Sequence, residues 1–101
     1  MSDLHILRPH ALGLPAARKI AIQWAEHIER KFGMSCRYEH GASVDELCFS
    51  SAGVDGTLCV AEDRFEVKAK LGFLLAAFKP SIESEIARKL DQLLAAPHSL
   101  D

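Results

Sequence analysis

Two periodicities divide this chain. From Leu4 to Arg8 apolar and polar positions alternate loosely and stop at Pro9. That predicts a short first strand at a sheet edge, because proline cannot donate to a ladder. His10 to Leu14 reads as a connection, and Pro15 suits the first turn of a helix, where its missing N–H costs nothing. Between Pro15 and Phe32 the period becomes 3.6. Ala17, Ile20, Ala21, Trp24, Ala25, Ile28 and Phe32 fall on one arc of roughly 140°, with Lys19, Gln23, Glu26, Glu29 and Arg30 opposite and Ile22 astray on the polar side. Gly33 then predicts a left-handed stop, with Arg30 and Lys31 placed to meet the helix dipole.

From Met34 to Leu71 the period is two. Cys36 and Tyr38 alternate with Ser35, Arg37 and Glu39. Leu47 and Phe49 alternate with Glu46, Cys48 and Ser50. Val54, Leu58 and Val60 alternate with Asp55, Thr57 and Cys59, and Phe65, Val67, Ala69 and Leu71 with Glu66, Lys68 and Lys70. Turns at Gly41-Ala42-Ser43, Ser51-Ala52-Gly53 and Glu62-Asp63-Arg64 join them. Short turns between alternating strands mean an antiparallel meander with one dry and one wet face. A last helix is expected from Pro80 to Ala96, with Ile82, Ile86, Leu90 and Leu93 as its stripe and Pro97 as its stop. Leu71, Leu75 and Phe78 keep phase with that stripe, so a helix beginning near Phe73 and restarted at Pro80 is also expected.

The order is β-α-β-β-β-β-α. Two amphipathic helices and a half-wet sheet predict an α+β two-layer sandwich, mostly antiparallel, with both helices on one face. The 101 residues make one domain spanning 1–101, with 1–3 and 97–101 expected to fray. Composition adds exclusions. Twelve basic against fourteen acidic residues give a net charge of −2, which speaks against nucleic acid and anionic membranes as partners. The start of the chain lacks a secretory pattern, and the longest strongly apolar run, 71–78, is far short of the ~18–20 residues that span a bilayer. A cytoplasmic protein without a transmembrane segment is expected.

Chemistry is sparse. Cys36, Cys48 and Cys59 are odd in number, form no CxxC pair and are expected to act as small buried apolar residues; a three-cysteine site completed by His40 is the weaker reading. Asp45, Asp55, Glu62 and Asp63 fall at turns or on the wet strand face, where solvation is expected rather than acid–base work. His5, His10 and His27 lack metal-ligand spacing. Gly53-Val54-Asp55-Gly56 lacks the third glycine of a phosphate loop and reads as turn or bulge. The basic pairs Arg18-Lys19 and Arg30-Lys31 are interleaved with acids and read as a solvated helix face. No catalytic, cofactor or metal residue is assigned.

What remains is Gly72-Phe73-Leu74-Leu75-Ala76-Ala77-Phe78. Leu75 and Phe78 can pack inward, which points Phe73 and Leu74 elsewhere. Burial against the sheet edge or the other helix is one reading. A contact surface of Phe73, Leu74, Ala77 and Phe78 for another protomer, a hydrophobic granule or an acyl chain is the other.

The segments Ile6-Leu7-Arg8-Pro9-His10-Ala11-Leu12-Gly13-Leu14, Ala17-Arg18-Lys19 and Gln23-Trp24-Ala25-Glu26 resemble the polyhydroxyalkanoic acid system protein family. So do Gly53-Val54-Asp55-Gly56-Thr57-Leu58, Ala69-Lys70-Leu71-Gly72-Phe73-Leu74-Leu75 and Ile82-Glu83-Ser84-Glu85-Ile86. The likeness runs from about residue 4 to residue 95, and the three cysteines are not part of its pattern. It implies an intracellular setting of carbon-storage polyester and an accessory, granule-associated role rather than an enzymatic one. It carries over no catalytic residue. The expected partner is therefore a polyhydroxyalkanoate granule or a granule-associated protein, met through the apolar stretch, and a homodimer is compatible with that surface. Two other readings stand beside it. An acyl-chain carrier needs a continuous apolar pocket between the sheet and the last helix. An enzyme acting on acyl or hydroxyacyl groups needs polar groups converging around His40 or Asp55.

Overall fold

The computed structural model describes residues 2–95. The order is β1 (Ser2–Pro9), α1 (Leu14–Phe32), β2 (Ser35–Glu39), β3 (Val44–Ser51), β4 (Val54–Ala61), β5 (Arg64–Leu71), a 3-10 turn (Ala76–Phe78) and α2 (Lys79–Ala95). The strands form one antiparallel sheet in the order β1-β5-β4-β3-β2. The expected α+β sandwich is what the chain adopts. The meander supplies four adjacent strands, and β1 closes the sheet beside β5, as an edge. Ser2 and Asp3 pair with Leu71 and Lys70 at the start of β1. Ala96 and Pro97, and the expected fraying at 97–101, lie outside the described residues.

This order forces α1 to carry the chain from one sheet edge to the other. Five strands leave four gaps, roughly 19 Å in all. The 19 residues of α1 extend about 28 Å, enough to cross them. Gly13 precedes the helix at φ 83°, and Gly33 stops it at φ 66°, its N–H donating to the Glu29 carbonyl at 3.0 Å. The face of α1 carrying Ala17, Ile20, Ala21, Trp24, Ala25 and Ile28 is buried on the sheet, while Ile22 stays exposed. Trp24 meets Phe49 edge-on, with ring centroids 5.3 Å apart.

Alternation decides the sheet's dry side. Leu4, Ile6, Leu47, Phe49, Leu58, Val60, Phe65, Val67 and Ala69 are buried beneath the helices. Gly56 is a strand residue rather than a turn residue. The Phe49 ring and the Ala69 methyl occupy the space its own Cβ would fill, so the aromatic ring packs where the side chain is missing. Ile86 and Leu90 bury α2 against the same layer. Ion pairs around the sandwich include Arg8 with Asp91 at 2.7 Å, Lys31 with Glu85 at 3.0 Å, and His5 with Glu66 at 2.6 Å.

One buried group is a carboxylate. Asp45 is 0% exposed. Arg18 donates to it from Nε at 2.5 Å and from a terminal nitrogen at 3.2 Å, the Tyr38 hydroxyl at 2.6 Å, and the Gly41 N–H at 2.9 Å. The expectation that Asp45 is solvated and that Arg18 belongs to a merely solvated helix face is corrected here. The pair fastens the β2–β3 hairpin to α1.

The helical expectation before Pro80 is also corrected. Residues 73–75 form a turn, 76–78 form a 3-10 turn, and α2 begins only at Lys79. A 3-10 turn has about three residues per turn, so the 3.6 phase linking Leu75 to Phe78 is lost. Phe78 faces solvent instead of the core.

Candidate functional site

The apolar stretch forms the tip of the β5–α2 connection. Its geometry begins with two glycines in close approach. Gly53 turns β3 into β4 at φ 89°, and its carbonyl accepts the Gly72 N–H at 2.7 Å. Leu75 lies over Gly53, where a Cβ would stand only 3.0 Å from the leucine Cδ1. The Gly72 carbonyl accepts the N–H groups of Leu75 at 3.1 Å and Ala76 at 3.0 Å, and the Leu75 carbonyl accepts that of Phe78 at 2.9 Å. Leu75 is thus fixed inward, and the chain on either side of it turns outward. Phe73 is 84% exposed, Leu74 81% and Phe78 59%, and Ala77 is exposed with them. All four predicted contact residues fall on this tip.

A second feature lies on the sheet face away from the helices. It is a concavity of about 740 Å³, open to solvent. The register orders its side chains in rows across the strands. One row reads His5, Lys68, Thr57, Cys48, Arg37, and the next reads Asp3, Lys70, Asp55, Ser50, Ser35. A third, carrying Leu7, Glu66, Cys59, Glu46 and Glu39, follows on the same face. Thr57 and Cys48, half-buried, are the short side chains at the middle of their row.

The carrier reading placed its pocket on the other side. That interlayer space holds Trp24, Phe65, Leu58, Ile86 and Leu90, none more than 2% exposed. A smaller groove of about 380 Å³ runs between β1 and α2, lined by polar and apolar groups including Arg8, Leu7, Glu83 and Ala87.

His40 and Asp55, the two groups around which chemistry was sought, lie apart. His40 has its ring 5.0 Å from Tyr38 and its Nδ1 3.8 Å from the Asp45 carboxylate. Asp55 stands exposed near the other end of the sheet, beside Lys70 and Ser50. Asp45 itself is occupied: the Arg18 guanidinium, with help from Tyr38 and Gly41, holds its carboxyl well below the usual carboxylate range. Burial and the neighbouring carboxylate push the Tyr38 phenol up. His10 packs on Phe65 at 4.7 Å and accepts the Leu12 N–H at 3.1 Å; burial lowers its pKa, as it does for His27.

The cysteines also part from expectation. Cys36 faces the helix side, half-buried, and burial pushes its thiol up to about 11. Cys48 and Cys59 are on the open face. A three-cysteine site with His40 is therefore not assembled. Among the described residues no group of three or more His, Cys, Asp or Glu side chains is placed to hold a metal ion. Nor is any helix among them long and apolar enough to cross a membrane.

The class this geometry defines is a small α+β sandwich that presents an apolar tip at one end of its sheet and an open concavity on its uncovered face. Its sequence matches the polyhydroxyalkanoic acid system protein family over residues 4–94, and the chain belongs to that family. No curated protein and no solved structure matches it.

Proposed function

We propose that this chain is a non-enzymatic accessory protein of polyhydroxyalkanoate storage, acting in the cytoplasm at the granule surface or on a granule-associated protein. The observation that carries the reading is the tip: three large apolar side chains, Phe73, Leu74 and Phe78, exposed within six residues. Isolated exposed apolar residues need no explanation, but a contiguous group marks an interaction surface. A polyester offers alkyl and ester groups without strong charge, so attachment to it scales with apolar area buried. The hydrogen bonds around Gly72 and Leu75 hold the tip in one shape, which lowers the ordering cost of docking. Family membership supplies the polyhydroxyalkanoate setting.

The test is fractionation of polymer-accumulating cells expressing the chain or its Phe73→Asp/Leu74→Asp variant. The reading expects the chain in the granule fraction and the variant in the supernatant. Recovery of both in the supernatant, or of both on granules, sinks it.

A further inference from the structure

We propose that the free edge of β1, together with the start of α2, is a docking groove for an extended protein segment carrying one basic residue. Backbone direction comes first. Along a strand, successive residues bond alternately to one side and to the other. The His10 N–H donates to the Asp63 carbonyl at 2.9 Å, one step past the Pro9–Arg64 pair, so His10 bonds toward β5. Leu4, Ile6 and Arg8 share its phase. Asp3, His5 and Leu7 therefore turn their N–H and C=O groups away from the sheet. The Arg8 side chain agrees, because its guanidinium reaches round the edge and donates to the Leu7 carbonyl at 3.0 Å. The other outward backbone groups of these three residues have no partner among the described residues. An unpaired edge is a template for a further strand. Of the sheet's two edges β1 is the longer, eight residues against five in β2.

A groove of about 380 Å³ runs along this edge, with His5, Ile6 and Leu7 on one side and Pro80, Glu83 and Ala87 of α2 on the other. A strand laid there bonds to β1 through its main chain and is selected through its side chains. Its residues alternate between the helix side and the open side. On the open side they lie beside Leu7, 47% exposed, which favours an apolar residue. On the helix side they meet Pro80, Ala87 and the carboxylate of Glu83. Glu83 is half-buried and has no ion-pair or hydrogen-bond partner among the described residues. The cation lining the same groove, Arg8, is already held by Asp91 at 2.7 Å. A lysine or arginine on the segment's helix side supplies the missing charge. A second copy of the sandwich suits the edge less well. Paired strands stand ~4.8 Å apart, packed helices need about 8–10 Å, and each β1 brings its own α2 to the two-fold axis.

The groove and the tip are separate surfaces, so this inference does not rest on the granule reading. The experiment is an amide chemical-shift titration of the full chain with a capped heptapeptide in which valine alternates with threonine and lysine takes the central position. One control peptide carries glutamate at the centre, and another carries N-methyl groups on its valine amides. Saturable shifts at the Asp3, His5 and Leu7 amides and along residues 80–87 are expected, with slower solvent exchange at His5 and Leu7. The N-methylated peptide should not bind, and the glutamate peptide should bind more weakly. Glu83→Gln should weaken the lysine peptide about fivefold. Leu7→Pro removes an outward N–H without touching a bond to β5 and should abolish binding, while Phe73→Asp should leave it unchanged. The proposal is overturned by absence of saturable binding, by equal binding of either control peptide, by an unaffected Glu83→Gln variant, or by shifts centred on β2 or on residues 73–78. Sedimentation showing two copies joined through β1 overturns it as well.

Discussion

Replacing Asp45 by alanine takes the acceptor from Arg18, Tyr38 and Gly41 at once. The Tyr38 hydroxyl and the Gly41 N–H each lose a bond worth about 1 kcal/mol net. The guanidinium is 32% exposed and rehydrates in part, so its loss falls at the low end for a charged partner. The variant should lose about 3 kcal/mol, against a whole-domain stability of about 5–15 kcal/mol. For a domain of this size that is a fall of roughly 12–24 °C in melting temperature. Differential scanning calorimetry measures it. The pH dependence gives a second reading of the same bond. The Asp45 carboxyl is held below its ordinary range, so in acid the folded chain binds fewer protons than the unfolded one. The contribution is complete above the unfolded pKa of about 4 and is lost as pH falls below it toward the folded value. The gap between wild type and Asp45→Ala should therefore narrow as acid is added. A variant that melts within a few degrees of wild type at pH 7, or a gap that widens in acid, refutes the reasoning.

Other outcomes follow from the same contacts. Tyr38→Phe removes one of the Asp45 bonds and should cost about 1 kcal/mol in urea unfolding, with an unchanged slope. Gly56→Val forces a side chain into the Phe49 ring and the Ala69 methyl and should cost about 1–3 kcal/mol or more, by the same assay. Phe73→Asp touches an exposed position and should shift stability by less than about 0.5 kcal/mol, which separates loss of attachment from loss of fold. Cys36, with its thiol raised from 9.0 to about 11, should react with iodoacetamide about a hundredfold more slowly at pH 8 in the folded than in the unfolded chain, read by mass spectrometry of the labelled peptide.

Most of the architecture was legible in the two periodicities because burial follows them closely. The run from Phe65 to Leu71 alternates without fault, and the apolar face of α1 contains every residue that its helix buries. Asp45 was misread because its residue type outweighed its place in the pattern. It shares parity with Leu47 and Phe49, so the alternation already pointed its side chain inward. What the sequence could not display was the partner: Arg18 lies 27 positions away and reaches it only once α1 crosses the sheet. Cys48 and Cys59 were misread the same way, as buried by type although the alternation put them on the wet side. At the tip, burial and exposure of Phe73 and Leu74 stood as two readings, and the structure shows exposure. Phe78 was read both as packing inward and as part of the contact surface; the inward reading fails because the 3.6 phase projected across 73–78 assumes a helix that the chain does not form there. The open-face concavity was hidden for another reason. Its walls come from five strands, and only the register shows which residues stand in one row.

The carboxylate lock and the greasy tip sit at opposite ends of β3 and its neighbours, separated by most of an eight-residue strand, roughly 20 Å. Substitutions at that separation add without coupling. Residues 73–78 can therefore change while the hairpin anchored on α1 stays as it is. Descendants of this scaffold are free to alter that end of the molecule without first relearning how to fold.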